Sequence, residues 1–119
     1  MGIAVWDRLT RTRAQQEALE LHEERLARSC ERISDCNPGD NVTVTGTVRS
    51  VTIRPKQSVP ALEIELYDGS GSVTVIWLGR RRIPGIDPGR RLVVHGRLTM
   101  IKGAPLLYNP KYELKPTGA

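Results

Sequence analysis

The sequence predicts a mainly β domain, a small barrel of about five strands that follows an N-terminal α-helix. From Val42 onward, apolar and polar residues alternate in several runs, which is typical of strands that bury one face. Turn signals separate these runs, most clearly Asn-Pro-Gly-Asp at 37–40 and Asp-Gly-Ser-Gly at 68–71. Residues 13–32, in contrast, are mostly strong helix formers without glycine or proline. We therefore expect a helical extension at residues 1–36 and a strand-rich domain at residues 37–119.

The predicted helix is charged and carries one apolar stripe. Thr12 and Gln15 have the spacing of a capping box at its start. Leu19, Leu26 and Ile33 recur every seven residues along it. The stripe fits docking on the barrel or self-association with a second copy, although three heptad positions are few for a coiled coil.

The first predicted strand is long and bent. Val42, Val44 and Val48 share one face, and the apolar phase then shifts to Val51 and Ile53. A shift of one residue within a strand predicts a β-bulge, here near residues 49–50, and Gly46 favours a bend.

The other strands follow in order. We expect a loop from Pro55 to Pro60, a hairpin around residues 68–71, and a connection from Gly79 to Gly89 with room for a short helical turn. A fourth strand is predicted at about 91–100, and a fifth at 105–114 that Pro110 interrupts. The long connection after the third strand favours a Greek-key OB-fold barrel over an SH3-like barrel.

The charge of the chain favours a polyanionic partner. The net charge is +5 and the isoelectric point is near 9.7. The first 36 residues hold six arginines and seven carboxylates, so the basic excess lies in the strand-rich part. Nucleic acid is the partner that such a surface favours, and a mildly basic surface without a polyanionic ligand is the alternative.

Several function classes are disfavoured. Cys30 and Cys36 match no common zinc spacing, so we expect no metal and no cofactor. Reduced thiols are the expectation for a cytosolic protein, and a disulfide between the two cysteines is the less favoured alternative. No apolar run approaches the length of a membrane span and the N-terminus has no apolar signal core, so we expect a cytoplasmic protein. Glu63 and Glu65 share a strand face, but like charges on a solvated face explain them, and we expect no enzyme.

Residues 38–115 resemble OB-fold nucleic-acid-binding domains of the anticodon-binding type, and most of all the wedge domain of the branched-DNA helicase RecG. The resemblance depends on motifs in a fixed order: Pro38-Gly39-Asp40, Asp68-Gly69-Ser70-Gly71, Val73 to Trp77, Pro88-Gly89 and Asn109 to Glu113. It implies that the barrel face and its loops contact single-stranded or forked DNA. Motor domains are not in this chain, and it contains no phosphate-binding loop of the Gly-x-x-x-x-Gly-Lys-Ser/Thr type.

The candidate nucleic-acid-binding residues are cations, one histidine and one aromatic. Trp77 is the candidate for base stacking, with a place in the core as the equal alternative, and Arg80 to Arg82 are the strongest candidates for phosphate contact. The full set is Arg49, Arg54, Lys56, Trp77, Arg80, Arg81, Arg82, His95, Arg97 and Lys102. Lys111 is a weaker candidate, and Tyr108 and Tyr112 are divided between binding and core.

The sequence therefore predicts a non-catalytic domain that binds nucleic acid, with single-stranded or branched DNA favoured over RNA. The alternative is a protein–protein adaptor that uses the N-terminal helix and the acidic face of Glu63 and Glu65. A protein partner or self-association through the helix is compatible with either function, and no membrane partner is expected.

Overall fold

A computed structural model describes residues 29–56 and 58–116. In this part of the chain the polypeptide forms eight strands and one short 3₁₀ helix, Ile33–Asp35. The strands are β1 (Ser29–Cys30), β2 (Asn41–Lys56), β3 (Val59–Tyr67), β4 (Ser72–Leu78), β5 (Arg91–Arg97), β6 (Thr99–Ile101), β7 (Ala104–Tyr108) and β8 (Lys111–Leu114). None of the described helices has the length and apolar character needed to cross a membrane.

The strands form one sheet in the order β6-β7-β4-β3-β2-β5-β8, with β1 added beside β2. The β1–β2 and β4–β7 pairs are parallel, and the other pairs are antiparallel. The five predicted strands are present, although Leu98 divides the fourth into β5 and β6, and Asn109 and Pro110 divide the fifth into β7 and β8. The mainly β fold is therefore confirmed.

The predicted barrel is not closed by hydrogen bonds within the described residues. β6 and β8 are the two edge strands of the sheet and do not pair with each other. β7 pairs with β4, whereas β8 pairs with β5. The chain itself crosses between the two sides at Pro110, which is buried and has no N–H to donate to a strand ladder.

The predicted helix over residues 13–32 lies outside the described residues except for its last part, and there the prediction is wrong. Ser29 and Cys30 form β1, in register with Asn41 and Val42. Pairing with β2 and burial of Cys30 override the helical propensity of this segment. Residues 29–36 thus pack against the strand-rich part, and the domain boundary at residue 36 stays a prediction.

The expectation of reduced thiols is also wrong. Cys30 and Cys36 form a disulfide, and both are buried. The 3₁₀ helix between them turns the chain back, so that two cysteines six positions apart meet. The spacing alone did not reveal this turn.

The predicted bulge in β2 is confirmed. The register between β2 and β3 shifts between Val48 and Ser50, which leaves Arg49 as the extra residue. Gly46 lies before it, where a Cβ atom would come within 2.6 Å of the Tyr67 carbonyl oxygen. Only glycine permits this approach of the two strands.

The predicted loop from Pro55 to Pro60 is wrong, because β2 extends to Lys56 and β3 begins at Val59. Pro55 and Pro60 are paired directly with each other. Proline has no backbone N–H. The two prolines therefore fit a non-hydrogen-bonded pair of the antiparallel ladder, in which neither residue donates an N–H to the other. The β2–β3 hairpin is therefore longer than the sequence suggested.

The connection between β4 and β5 contains turns instead of the expected helical turn. Gly79, Gly85 and Gly89 take positive φ values in it. Ile83 and Ile86 are buried and join the hydrophobic core beneath β2 and β3. This segment thus contributes core side chains without forming a helix.

Candidate nucleic-acid interface

Trp77 belongs to the core, one of the two places that the sequence left open for it, so its ring is not exposed for stacking on a base. Its side chain is 5% exposed, and its Nε1 donates a hydrogen bond to the Pro110 carbonyl oxygen. Tyr112 packs edge-on against it with ring centroids 5.6 Å apart. Its neighbour Ile76 is buried on the opposite face of β4, between Glu63 on β3 and Tyr108 on β7.

A groove with a volume of about 510 Å³ lies where β2, β5 and the β7–β8 crossing meet. We call it the β5 groove. It is lined by Asn41, Val42, Thr43, His95, Gly96, Arg97, Tyr108, Asn109, Pro110 and Lys111. Among these residues there are two permanent cations, one histidine, one tyrosine and no carboxylate.

Strand register explains why these residues meet. Val42 and Val44 point into the core, so the alternate residues of β2 and of its partner β5 face outward. Arg97 is paired with Asn41, and His95 is paired with Thr43 on one side and Lys111 on the other. Three strands therefore deliver polar side chains to one outer surface.

His95 is held in place by its neighbours. Its Nδ1 and the Thr43 Oγ1 are hydrogen-bonded at 3.1 Å. Its Nε2 lies 3.9 Å from a carboxylate oxygen of Glu113, which is largely exposed. The imidazole is thus positioned at the groove by Thr43 on one ring nitrogen and lies near the Glu113 carboxylate on the other.

Tyr108 supplies an exposed ring beside the cations. Its side chain is 45% exposed at the end of β7. The chain then turns sharply at Asn109, which has a φ of 48°. The Asn109 N–H donates to the Ile76 carbonyl oxygen, and its side-chain Oδ1 accepts a hydrogen bond from the Leu78 N–H. These contacts fix the backbone next to the ring.

Gly96 allows the β7–β8 crossing to lie against β5. A Cβ at this position would be 3.3 Å from the Pro110 Cβ, tighter than an ordinary contact. The floor of the groove therefore depends on a glycine and a buried proline packed together.

Arg80, Arg81 and Arg82 are exposed but lie apart from the groove residues, in the connection after β4. Arg81 and Arg82 line a separate cavity of about 330 Å³, together with Ile53 and other apolar side chains. The predicted basic cluster and the predicted polar face of β5 thus belong to different surfaces.

Other predicted cations have contacts within the chain. The Arg49 guanidinium lies 3.6 Å above the centre of the Tyr67 ring. Arg54 Nε donates to Glu63 Oε2 at 3.0 Å. Lys102, in contrast, is exposed in the β6–β7 turn. The Lys56 side chain lies outside the described part of the structure.

Asp68 anchors the 3₁₀ helix to the β3–β4 hairpin. Its Oδ2 accepts the Ile33 N–H, and its Oδ1 accepts the Ser70 hydroxyl and the N–H groups of Ser70 and Gly71. Burial by itself raises the pKa of this carboxyl, but the hydrogen bonds outweigh it and hold the pKa below the ordinary 3.8. The carboxylate is a structural acceptor and is not part of the groove.

These features define an OB-type domain with a basic outer groove. Residues 42–118 match the model of the OB-fold nucleic acid binding domain family of the tRNA anti-codon type, and the chain belongs to this family. No curated protein matches the chain.

Solved structures share the fold at low sequence identity. The OB domain of Ta0387 from Thermoplasma acidophilum is 12% identical with a TM-score of 0.57, over 78% of this chain and 92% of that chain. The second OB-fold domain of replication protein A from Methanococcus maripaludis is 12% identical with a TM-score of 0.58, over 76% and 99%.

RecG bound to a three-way DNA junction is 23% identical with a TM-score of 0.58 over 76% of this chain. The match covers only 13% of the RecG chain. The predicted resemblance to OB-fold nucleic-acid-binding domains and to RecG is confirmed by these findings.

Tyr108 and Lys111 were only weak candidates from the sequence, and Asn41 was not predicted to line this groove. The break in the last predicted strand at Pro110 could have indicated the position of Tyr108 and Lys111. Tyr108 ends β7 just before this break, and Lys111 begins β8 just after it, where β8 pairs with β5.

Proposed function

We propose that this domain binds single-stranded or branched DNA without catalysing a reaction, and that the β5 groove is its main contact surface. The observation that carries the proposal is the convergence of Arg97, Lys111 and the exposed ring of Tyr108 in one groove whose lining residues include no carboxylate. Cations that follow phosphates and a ring that stacks on a base are what a sequence-tolerant single-strand site requires.

The remaining predicted cations have a supporting role in this proposal. Arg80, Arg81, Arg82 and Lys102 are exposed and add to the positive field that attracts a polyanion. Glu65 on β3 is exposed and repels phosphate, whereas Glu63 is paired with Arg54, and this favours a DNA path on the β5 side. One exposed tyrosine and few groove cations favour modest affinity and little sequence preference.

Fluorescence anisotropy titrations with labelled single-stranded, forked and duplex oligonucleotides test the proposal. The forked probe is included because RecG was solved on a DNA junction. We expect the single-stranded and forked probes to bind more tightly than the duplex. We expect Arg97→Gln with Lys111→Gln to weaken binding about tenfold or more, because two phosphate contacts are lost.

The matched control is Arg32→Gln with Arg91→Gln, which removes the same charge from exposed positions that do not line the groove. Equal loss in the two double variants would show that net charge alone matters and would contradict a defined groove. No binding of any probe at low salt would favour the protein-adaptor function instead.

A further inference from the structure

A second cavity, of about 330 Å³, lies between the β2–β3 hairpin and the β4–β5 connection. Its base is made of Leu62, Ile83 and Ile86, each at most 3% exposed. We call it the hairpin cavity. It shares no lining residue with the β5 groove.

The side of the hairpin cavity is an exposed aliphatic surface. Ile53 is 58% exposed, although it points to the core side of the sheet, where it pairs with the buried Leu62. β4 ends at Leu78, opposite Ala61, and no other strand among the described residues pairs with β3 beyond that point. A large aliphatic side chain beside a concave apolar surface is typical of an interaction site.

The rim of the hairpin cavity is basic. Arg81 and Arg82 line it and are exposed, and Arg80 precedes them in the chain. Asp87 is the single carboxylate among the described lining residues. Neither Arg81 nor Arg82 forms an ion pair with a described carboxylate, so both guanidinium groups are available to an external anion.

An aliphatic base with guanidinium groups at its rim is complementary to an acidic peptide segment that carries a large apolar side chain. The apolar side chain fills the cavity, and the flanking carboxylates pair with Arg81 and Arg82. A nucleobase suits the cavity less well, because no aromatic ring lines it for stacking. We infer that the hairpin cavity docks a partner protein through such an acidic, apolar-centred segment.

The test uses the whole chain and a fluorescein-labelled peptide of sequence Asp-Glu-Asp-Leu-Phe-Asp-Glu-Asp in anisotropy titrations. We expect saturable binding that weakens about tenfold with Ile53→Ser, because the apolar contact is lost. We expect a similar loss with Arg81→Gln combined with Arg82→Gln, together with a weaker dependence on salt. A peptide with Ser-Ser in place of Leu-Phe should bind at least about tenfold more weakly.

Ile101→Ser is the matched control, since Ile101 is 42% exposed on β6 and does not line the cavity. The groove variant with Arg97→Gln and Lys111→Gln should keep peptide binding, so failure of DNA binding and failure of peptide binding are separate results. If the Ile53→Ser variant does not fold, peptide binding by the variant with Arg81→Gln and Arg82→Gln still tests the inference.

Three results would overturn the inference. The first is that the unchanged chain does not bind the peptide. The second is that it binds the Leu-Phe and Ser-Ser peptides with equal affinity. The third is that Ile53→Ser weakens oligonucleotide binding more than peptide binding. The last result would assign the cavity to a base.

Discussion

At the scale of single residues, the described aromatic side chains divide between core and surface. Trp77 is enclosed, with its indole N–H satisfied by Pro110, and cannot reach a ligand. Tyr108 is nearly half exposed in the β5 groove. Its environment, and not its residue type, makes it the candidate stacking residue.

We predict that Tyr108→Ala weakens single-stranded DNA binding by about 1–3 kcal/mol, the usual value of one stacked base. Tyr67→Ala, on the part of the sheet that contains Glu65, should change the affinity by less than about twofold. Anisotropy titrations compare the two variants. An equal effect of the two substitutions would contradict the placement of the DNA in the groove.

Asp68 gives a prediction about stability. Asp68→Ala removes the acceptor for the N–H groups of Ile33, Ser70 and Gly71, and should lower the free energy of unfolding by about 1–3 kcal/mol. Because the folded pKa lies below 3.8, the carboxylate stabilises the fold above that pH and loses this effect as the pH falls through the folded pKa.

Urea titrations of both proteins between pH 7 and pH 3 check this prediction. The difference in unfolding free energy should be constant near neutral pH and shrink in acid. A difference that grows in acid would show that the protonated side chain is the stabilising form.

The individual site residues were only partly predictable from the sequence. His95 and Arg97 were assigned to the polar face of strand four, because alternation along one strand fixes their direction. Their meeting with Lys111 depends on the pairing of β5 with β8, which no local pattern specifies. The place of Trp77 was undecided for the same reason, since both faces of β4 carry apolar residues.

At the scale of elements, the bend of β2 organises the sheet. β2 pairs with β5 through its first half and with β3 through its second half, and the bulge at Arg49 lies near the transition. Gly46 permits the crowded contact with the Tyr67 backbone at this position.

We predict that Gly46→Ala lowers the free energy of unfolding by about 1–3 kcal/mol or more, because a methyl group would overlap a backbone oxygen that cannot move freely. Gly71→Ala is the control, since its Cβ would meet Ile33 at an ordinary 3.4 Å. Thermal unfolding monitored by circular dichroism compares the two. Equal melting temperatures would contradict the packing described for Gly46.

The disulfide gives a second prediction at this scale. Reduction of Cys30–Cys36 should lower the free energy of unfolding by about 2 kcal/mol, a small value because the closed loop is short. Denaturant titrations with and without a reductant measure the difference. The double variant Cys30→Ser with Cys36→Ser should show the lower stability and no response to the reductant.

The elements were more predictable than their boundaries. Turn residues and alternation located the bulge, the β3–β4 hairpin and the break at Pro110, because each has a local chemical cause. The pairing of Pro55 with Pro60 and the strand at Ser29–Cys30 were missed. Both depend on a partner segment that overrides local preference.

At the scale of the whole molecule, two separate surfaces of the described residues carry basic side chains. The β5 groove combines cations with a tyrosine, and the hairpin cavity combines cations with aliphatic side chains. The first composition suits nucleic acid and the second suits an acidic protein segment. Together, the two proposals describe a small domain that connects DNA to a protein partner.

The central claim is that the β5 groove binds DNA through the phosphates that Arg97 and Lys111 contact. The most direct test is the slope of log affinity against log salt concentration for a single-stranded oligonucleotide. Replacing both residues with glutamine should make that slope shallower by about 1.4, the value for two lost phosphate contacts on a single strand. An unchanged slope, or an equal change after Arg32→Gln with Arg91→Gln, would contradict the claim.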